Sequence, residues 1–280
     1  MKFTKMHGAG NDYVYVDCTK GEIANPRELS KKISDRHFGV GSDGLVLICK
    51  SDIADFKMRM FNADGSEAQM CGNATRCIGK YVFDKGLTTK ADLTLETLAG
   101  VKRLTLFVDN GKVNRITVNM GVPELHPAKI PVLANGERVV AMPLEVDGKV
   151  LPITCVSMGN PHAVTFVENV KSFDVHHFGK LVENHALFPE KVNVEFVEPL
   201  SSGELSMRVW ERGSGETWAC GTGACASLVA ATLNNLSNGK ATVHLLGGDL
   251  EVEWDKHTNH IYMTGGAETV FEGEYLEAGN

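Results

Sequence analysis

Apolar and polar side chains alternate along residues 57–62 and again along 205–211, the period of a half-buried β-strand. Each of these runs leads into an acidic, Gly-rich approach (FNADGSEAQM and WERGSGETWA) that ends at a cysteine followed by glycine. Helix-compatible runs come next, predicting helices over 73–84 and 222–236. In the second, Ala226, Leu228, Val229, Ala230 and Leu233 lie round most of the circumference, as in a buried helix. Upstream, β-branched and aromatic residues predict strands at 13–17 and 163–167, then helices at 26–36 and 175–185, then strands at 45–49 and 194–197. Downstream, strands at 93–97, 101–108 and 113–119, and at 242–246, 250–254 and 260–263, would wrap the central helix of each half.

The two series are one pattern written twice. Cys71 and Cys220 stand 149 residues apart, and the same offset relates Asn11 to Asn160, Arg59 to Arg208 and Glu67 to Glu216. The expected fold is α/β (α+β): two pseudosymmetric duplicated domains, each a barrel-like sheet round a central helix. The Pro-containing stretch 121–131 reads as the linker, giving an N-terminal half at 1–120 and a C-terminal half at 121–266. The tail, 267–280, is expected to return to the first half.

Composition narrows the function. The 280 residues are 43% hydrophobic and 22% charged with a formal net charge of −7, ordinary for a globular protein and without the basic block that nucleic acid or an anionic membrane would require. A small-molecule partner is expected. The N-terminus lacks the apolar core of a signal peptide and no apolar run reaches the roughly 18 residues of a membrane helix, so a cytoplasmic location is expected. Seven scattered cysteines read as reduced thiols rather than a disulfide framework.

Candidate chemistry lies in MCGNATRC (70–77) and ACGTGAC (219–225). A lone cysteine is commonly a small buried hydrophobe, the reading kept for Cys18, Cys49, Cys77, Cys155 and Cys225. Duplication of a whole glycine-rich helix start singles out Cys71 and Cys220, because a thiol at a helix N-terminus feels the positive end of the dipole and should ionise more easily. The cysteine spacing differs between the copies and no histidine adjoins either, so no metal site is expected. GVGSDG at 39–44 matches a dinucleotide fingerprint literally, but a strand follows it where a helix is needed. Two equivalent acid/base groups can take a proton from one side of a carbon and return one to the other, inverting a stereocentre. The backbone N–H groups of Gly72, Asn73, Gly221 and Thr222 could hold a carboxylate as it gains enolate-like charge, with no electron-sink cofactor. Asn11, Asn62, Asn160 and Asn193 would supply amides to a zwitterionic ligand. Glu211 and Arg212 stand where the first half has Asn62 and Ala63, an asymmetry that suits a charged substrate end.

FTKMHGAGNDY, FNADGSEAQMCGNATRC, SMGNPHAV, VNVEF and WERGSGETWACGTGACAS resemble the characteristic segments of the diaminopimelate epimerase family, in order and across both halves. The resemblance implies conversion of LL-2,6-diaminopimelate to the meso isomer in lysine biosynthesis, no cofactor, and usually a homodimer. By matching motif it implies Cys71 and Cys220 as the acid/base pair, with His162 and Glu211 catalytically supportive. Substrate would be bound by Asn11, Asn62, Gly72, Asn73, Asn160, Asn193, Glu211, Arg212, Gly221 and Thr222. Some members carry Gln where this chain has Gly44, which puts one substrate contact in question. Another cofactor-independent amino acid racemase, such as the proline racemase type, or a thiol redox enzyme, would share parts of this pattern.

Overall fold

The computed structural model describes residues 1–276 and divides into two compact units. One comprises Met1–Val118 together with the segment from Gly265 on, the other Asn119–Thr264. The first is built from β1 (Lys2–Gly8), β2 (Asn11–Cys18), α1 (Pro26–Ser34), β3 (Gly44–Cys49), β4 (Phe56–Asn62), β5 (Glu67–Ala68), α2 (Gly72–Asp84), β6 (Asp92–Thr97), β7 (Gly100–Asp109) and β8 (Lys112–Gly121). The second contains β9 (Met142–Val146), β10 (Lys149–Ser157), β11 (Pro161–Phe166), α3 (Val175–Glu183), β12 (Asn193–Ser201), β13 (Glu204–Glu211), β14 (Gly215–Thr217), α4 (Gly221–Leu233), β15 (Lys240–Leu245), β16 (Gly248–Asp255) and β17 (His260–Gly265). The last strand, β18 (Glu268–Glu274), pairs antiparallel with β1.

Inside each unit the strands pair in the same sequence. β2 and β3 run parallel with Tyr13 opposite Gly44, and β11 and β12 run parallel with His162 opposite Asn193, 149 residues on in both strands. The following antiparallel partner is β4 in one unit and β13 in the other, and each makes a short hairpin with β5 or β14 before the chain enters α2 or α4. Both central helices have 13 residues and begin at the duplicated glycine. Beyond the helices, β6–β7–β8 and β15–β16–β17 are antiparallel ladders.

Alternation along the strands decides what each face packs against. In the first unit Val14, Val16, Leu45, Leu47 and Phe61 form one core with Leu29 and Ile33 of α1. The opposite face puts Tyr15 beside Cys77 of α2. In the second unit Ala163, Val194 and Phe196 pack with Val175 and Val182 of α3, leaving the other face for α4, which lies against β10, β11, β12, β13, β15 and β16. α4 is buried from Gly221 to Ala231 apart from Thr222, as its all-round apolar surface requires. No helix among the described residues is long and apolar enough to cross a membrane.

Three features depart from the sequence pattern. The helices end two or three residues early, at Ser34, Glu183 and Leu233. Residues 121–131 are packed rather than loose: Glu124 bridges to Ser157, and Ile130 is fully buried in the core of the second unit. The hairpins carrying Asn11 and Asn160 also differ. In the first unit Gly8 faces Asn11 across two left-handed residues, Ala9 (φ 52°) and Gly10 (φ 81°), as a tight hairpin turn demands. In the second, Ser157 faces Pro161, so Asn160 falls in the loop.

Candidate active site

Cys71 and Cys220 are the N-cap residues of α2 and α4, both with extended backbone (φ −139° and −123°). The helix geometry leaves the first-turn N–H groups of Gly72 and Asn73, and of Gly221 and Thr222, without acceptors inside the helix.

In the first unit, Cys71 Sγ lies 3.4 Å from Asn11 Oδ1, which also accepts from Asn73 Nδ2 at 3.3 Å. The orientation of Asn11 is fixed from behind: its Nδ2 donates to Asp43 Oδ2 at 2.8 Å, and a carboxylate can only accept, so the carbonyl oxygen faces the cysteine. Asp43 belongs to a charged cluster with Asp12, Lys5 and Arg36, in which Lys5 Nζ is 2.6 Å from Asp12 and Arg36 reaches both carboxylates at 3.0 and 2.9 Å. Burial and the neighbouring Asp12 charge push the Asp43 carboxyl up. Burial pushes Asp12 the same way, but Lys5 and Arg36 hold it below the usual range. Arg76, fully buried on α2, donates to Asn73 Oδ1 at 2.8 Å and to the Gly266 carbonyl at 3.2 Å. Asn62 sits at the end of β4 in the turn to β5, its Nδ2 on Ser66 Oγ at 3.0 Å.

In the second unit, two-residue alternation turns His162 of β11, Asn193 and Glu195 of β12 and Glu211 of β13 toward the start of α4. Cys220 Sγ accepts from Gly223 N at 3.4 Å and lies 3.4 Å from Thr222 Oγ1. Asn160 Nδ2 donates to the same Thr222 oxygen at 3.3 Å. His162 is fully buried between Asn160 Oδ1 (3.0 Å from Nε2) and Glu195 Oε1 (2.7 Å from Nδ1). Glu211 accepts from the Thr217 hydroxyl and hydrogen-bonds Cys220. Asn193 ties two backbones together, donating to the Pro161 carbonyl at 2.8 Å and accepting from Arg212 N at 2.9 Å. The Arg212 guanidinium reaches the Glu190 carbonyl at 3.1 Å on an exposed edge.

A thiol at a helix start should be acidified, yet the Cys220 thiol is pushed well up. Burial is the main cause, the Glu211 and Glu195 charges add to it, and the Thr222 hydroxyl and Gly223 N–H oppose it. A helix end contributes on the order of 1 kcal/mol, too little to offset desolvation beside two carboxylates. Burial likewise raises the Glu211 carboxyl, against the Thr217 hydrogen bond and the His162 charge. The helix-body thiol Cys77 is pushed up to about 12 by burial, as is Cys155 on β10.

Gly44 has no room for a side chain: a Cβ there would lie 2.1 Å from the Phe61 carbonyl oxygen and 3.0 Å from Tyr13. Asp43, Arg76 and Glu195 carry no sequence signal in a single chain, since each depends on a partner brought in by the fold. Thr222, expected to act through its backbone, also places its hydroxyl against the sulfur.

The diaminopimelate epimerase family matches this chain over residues 3–126 and 154–270. The diaminopimelate epimerase of Acetivibrio thermocellus is 60% identical over 274 residues, 98% of both chains. That of Methanococcus maripaludis is 59% identical over 274 residues, covering 98% of this chain and 99% of its own. Among solved structures, a probable proline racemase from Agrobacterium radiobacter with bound carbonate is similar with a TM-score of 0.73 at 13% identity, over 98% of this chain and 92% of that one. A Bacillus anthracis phenazine biosynthesis protein of the PhzF family reaches 0.70 at 20% identity, over 99% of each chain. At those identities the likeness is one of fold. The family match and the identity along nearly the whole length lead to one statement: the chain belongs to the diaminopimelate epimerase family.

Proposed function

We propose that this protein is a cofactor-independent epimerase that interconverts LL-2,6-diaminopimelate and meso-2,6-diaminopimelate in lysine biosynthesis, with Cys71 and Cys220 as the acid/base pair. The observation that carries this reading is the twin N-cap cysteine: two helices of equal length, in matching strand frameworks, each begin at a cysteine followed by glycine.

The chemistry follows from those positions. One cysteine, as thiolate, takes the α-proton; the electron pair of the broken C–H bond moves into the substrate carboxylate as enolate-like charge; the other cysteine, as thiol, returns a proton to the opposite face. Backbone N–H groups of Gly72, Asn73, Gly221 and Thr222 stabilise that carboxylate. The raised Cys220 thiol fits a group that stays protonated until a substrate ammonium arrives. Glu211 stands next to Cys220 to bias its proton, and His162 holds Asn160. Asn11, Asn62, Asn160, Asn193 and Arg212 bind the rest of the substrate. The 1–120 and 121–266 halves each contribute one cysteine; of the expected 267–280 tail, residues 277–280 lie outside the described residues. The active species is a cytoplasmic homodimer, a state that sedimentation analysis tests.

Purified protein incubated with LL-diaminopimelate and no added cofactor should yield the meso isomer on chiral chromatography, and Cys71→Ala and Cys220→Ala should each lower kcat by at least about 100-fold. Inversion of proline with diaminopimelate inert would instead select the proline racemase type. Turnover that requires an oxidant would select a thiol redox enzyme.

A further inference from the structure

Glu195 is a buried carboxylate that the proposed chemistry leaves without a task. It is 0% exposed, its Oε1 is 2.7 Å from His162 Nδ1, and its Oε2 has no hydrogen-bond partner among the described residues. A carboxylate held on such terms weakens a fold unless its partner balances it. Packing does not require it, because the equivalent positions of the first unit, Tyr13 and Val46, fill the same places without a charge. Glu195 also competes for the space beside Gly223 on the first turn of α4, where a Cβ would stand 2.7 Å from Oε1.

From this carboxylate a continuous set of hydrogen bonds runs to Cys220. Glu195 Oε1 meets His162 Nδ1 at 2.7 Å, His162 Nε2 meets Asn160 Oδ1 at 3.0 Å, Asn160 Nδ2 meets Thr222 Oγ1 at 3.3 Å, and Thr222 Oγ1 meets Cys220 Sγ at 3.4 Å. The carboxylate accepts only, so Nδ1 carries a hydrogen. When Nε2 carries one too, it donates to the Asn160 carbonyl, the Asn160 amide donates to Thr222, and the Thr222 hydrogen is left to point at the sulfur, which favours thiolate. When Nε2 is bare it needs a donor; the Asn160 amide turns over, Thr222 donates to its oxygen, and a lone pair of Thr222 faces the sulfur, which favours the thiol.

We infer that Glu195 is a positioning residue that, through His162, holds this chain in the direction the structure shows, with the Asn160 amide donating to Thr222 and the Thr222 hydrogen toward Cys220, which favours thiolate there. The inference rests on the acid/base reading of Cys220. The charged and titratable groups around this sulfur are Glu211 on β13, Glu195 on β12 and His162 on β11, with Cys155 on β10 beyond Glu195 and Cys225 on α4 itself. The field of Glu195 acts directly against the thiolate while the chain acts for it, so the two effects have opposite signs.

Those signs make the test. The rate at which iodoacetamide alkylates Cys220 in the unliganded protein, read by mass spectrometry of its peptide at neutral pH, follows the thiolate fraction. Glu195→Gln should slow it about tenfold, because the chain loses the carboxylate that holds its direction; Thr222→Val should slow it about tenfold, the scale of one hydrogen bond to a charged group. Thr222→Ser should label within about twofold of the parent protein, and the double variant no slower than the slower single one. Faster labelling of Glu195→Gln, an unchanged rate in Thr222→Val, or additive effects would overturn the inference. No substrate is used, so its failure is separate from that of the epimerase reading: conversion of LL- to meso-diaminopimelate that survives in Cys220→Ala removes the reading, whereas reversed labelling in variants of a protein that still makes this conversion removes the chain alone.

Discussion

Glu211 shows what a buried carboxyl beside Cys220 does to the stability of its surroundings. Its carboxyl is raised by burial, so the folded state holds a proton that the unfolded chain has released. Stability from this group is therefore full at pH below the ordinary carboxyl range and declines as pH rises from there through the raised value. At neutral pH the ionised form is a penalty. Glu211→Gln should raise Tm at pH 7 by a few degrees, on a scale of about 2–4 °C per kcal/mol for a chain of this size, and flatten the decline between acid and neutral pH. The same change should lower kcat at least about tenfold, since Cys220 loses a charged neighbour. A fall in Tm with kcat unchanged would mean that Glu211 is a structural group. At this scale the sequence reveals the cysteines and the Asn11 and Asn160 pair, because duplication marks them. It is silent on Asp43, Arg76 and Glu195, whose meaning comes from partners 32, 190 and 33 residues away that only the fold supplies. It also misjudges the Cys220 thiol, for which the helix end is visible in the sequence and desolvation is not.

Elements were legible where a side-chain period ran undisturbed. The strands flanking the cysteines and both central helices follow their patterns to within a few residues. β1, β9 and β10 escape notice because β1 mixes lysine and histidine with its apolar positions, and Pro152 of β10 lies opposite Pro143 of β9. A proline pair reads as a loop, but β9 lies outermost beside β10, where a missing N–H is tolerated. Gly44 is the converse case, a single residue that the element around it dictates. It opens β3 opposite Asn62, and a Cβ would intrude on the β4 backbone. Gly44→Ala should destabilise the protein by about 1–3 kcal/mol in denaturant unfolding, as overpacking does. It should also weaken substrate binding through the displaced Asn62. Unchanged stability would show that β4 yields easily enough to admit a side chain there.

Over the whole chain, duplication explains both the common framework and the division of labour. The strand registers around His162 and Tyr13 match, yet the second unit places the titratable side chains of His162, Glu195 and Glu211 where the first has Tyr13, Val46 and Asn62. Each framework depends on its central helix. Leu228, fully buried in α4, makes the dependence measurable: Leu228→Ala should cost about 2–5 kcal/mol of stability by opening a cavity under the sheet. Its activity, measured well below the lowered melting point, should stay near that of the parent protein, because Cys220 and its partners sit at the helix start.

The central claim is that two thiols, not one, handle the proton. It is tested most directly by running LL-diaminopimelate to low conversion in deuterated water, then measuring deuterium separately in the meso product and in recovered substrate. Two bases predict a product with one deuteron at the inverted carbon and a substrate with essentially none, since the proton removed by one cysteine is not the one the other returns. Equal labelling of substrate and product at early times would mean that a single group serves both faces, and would contradict the account.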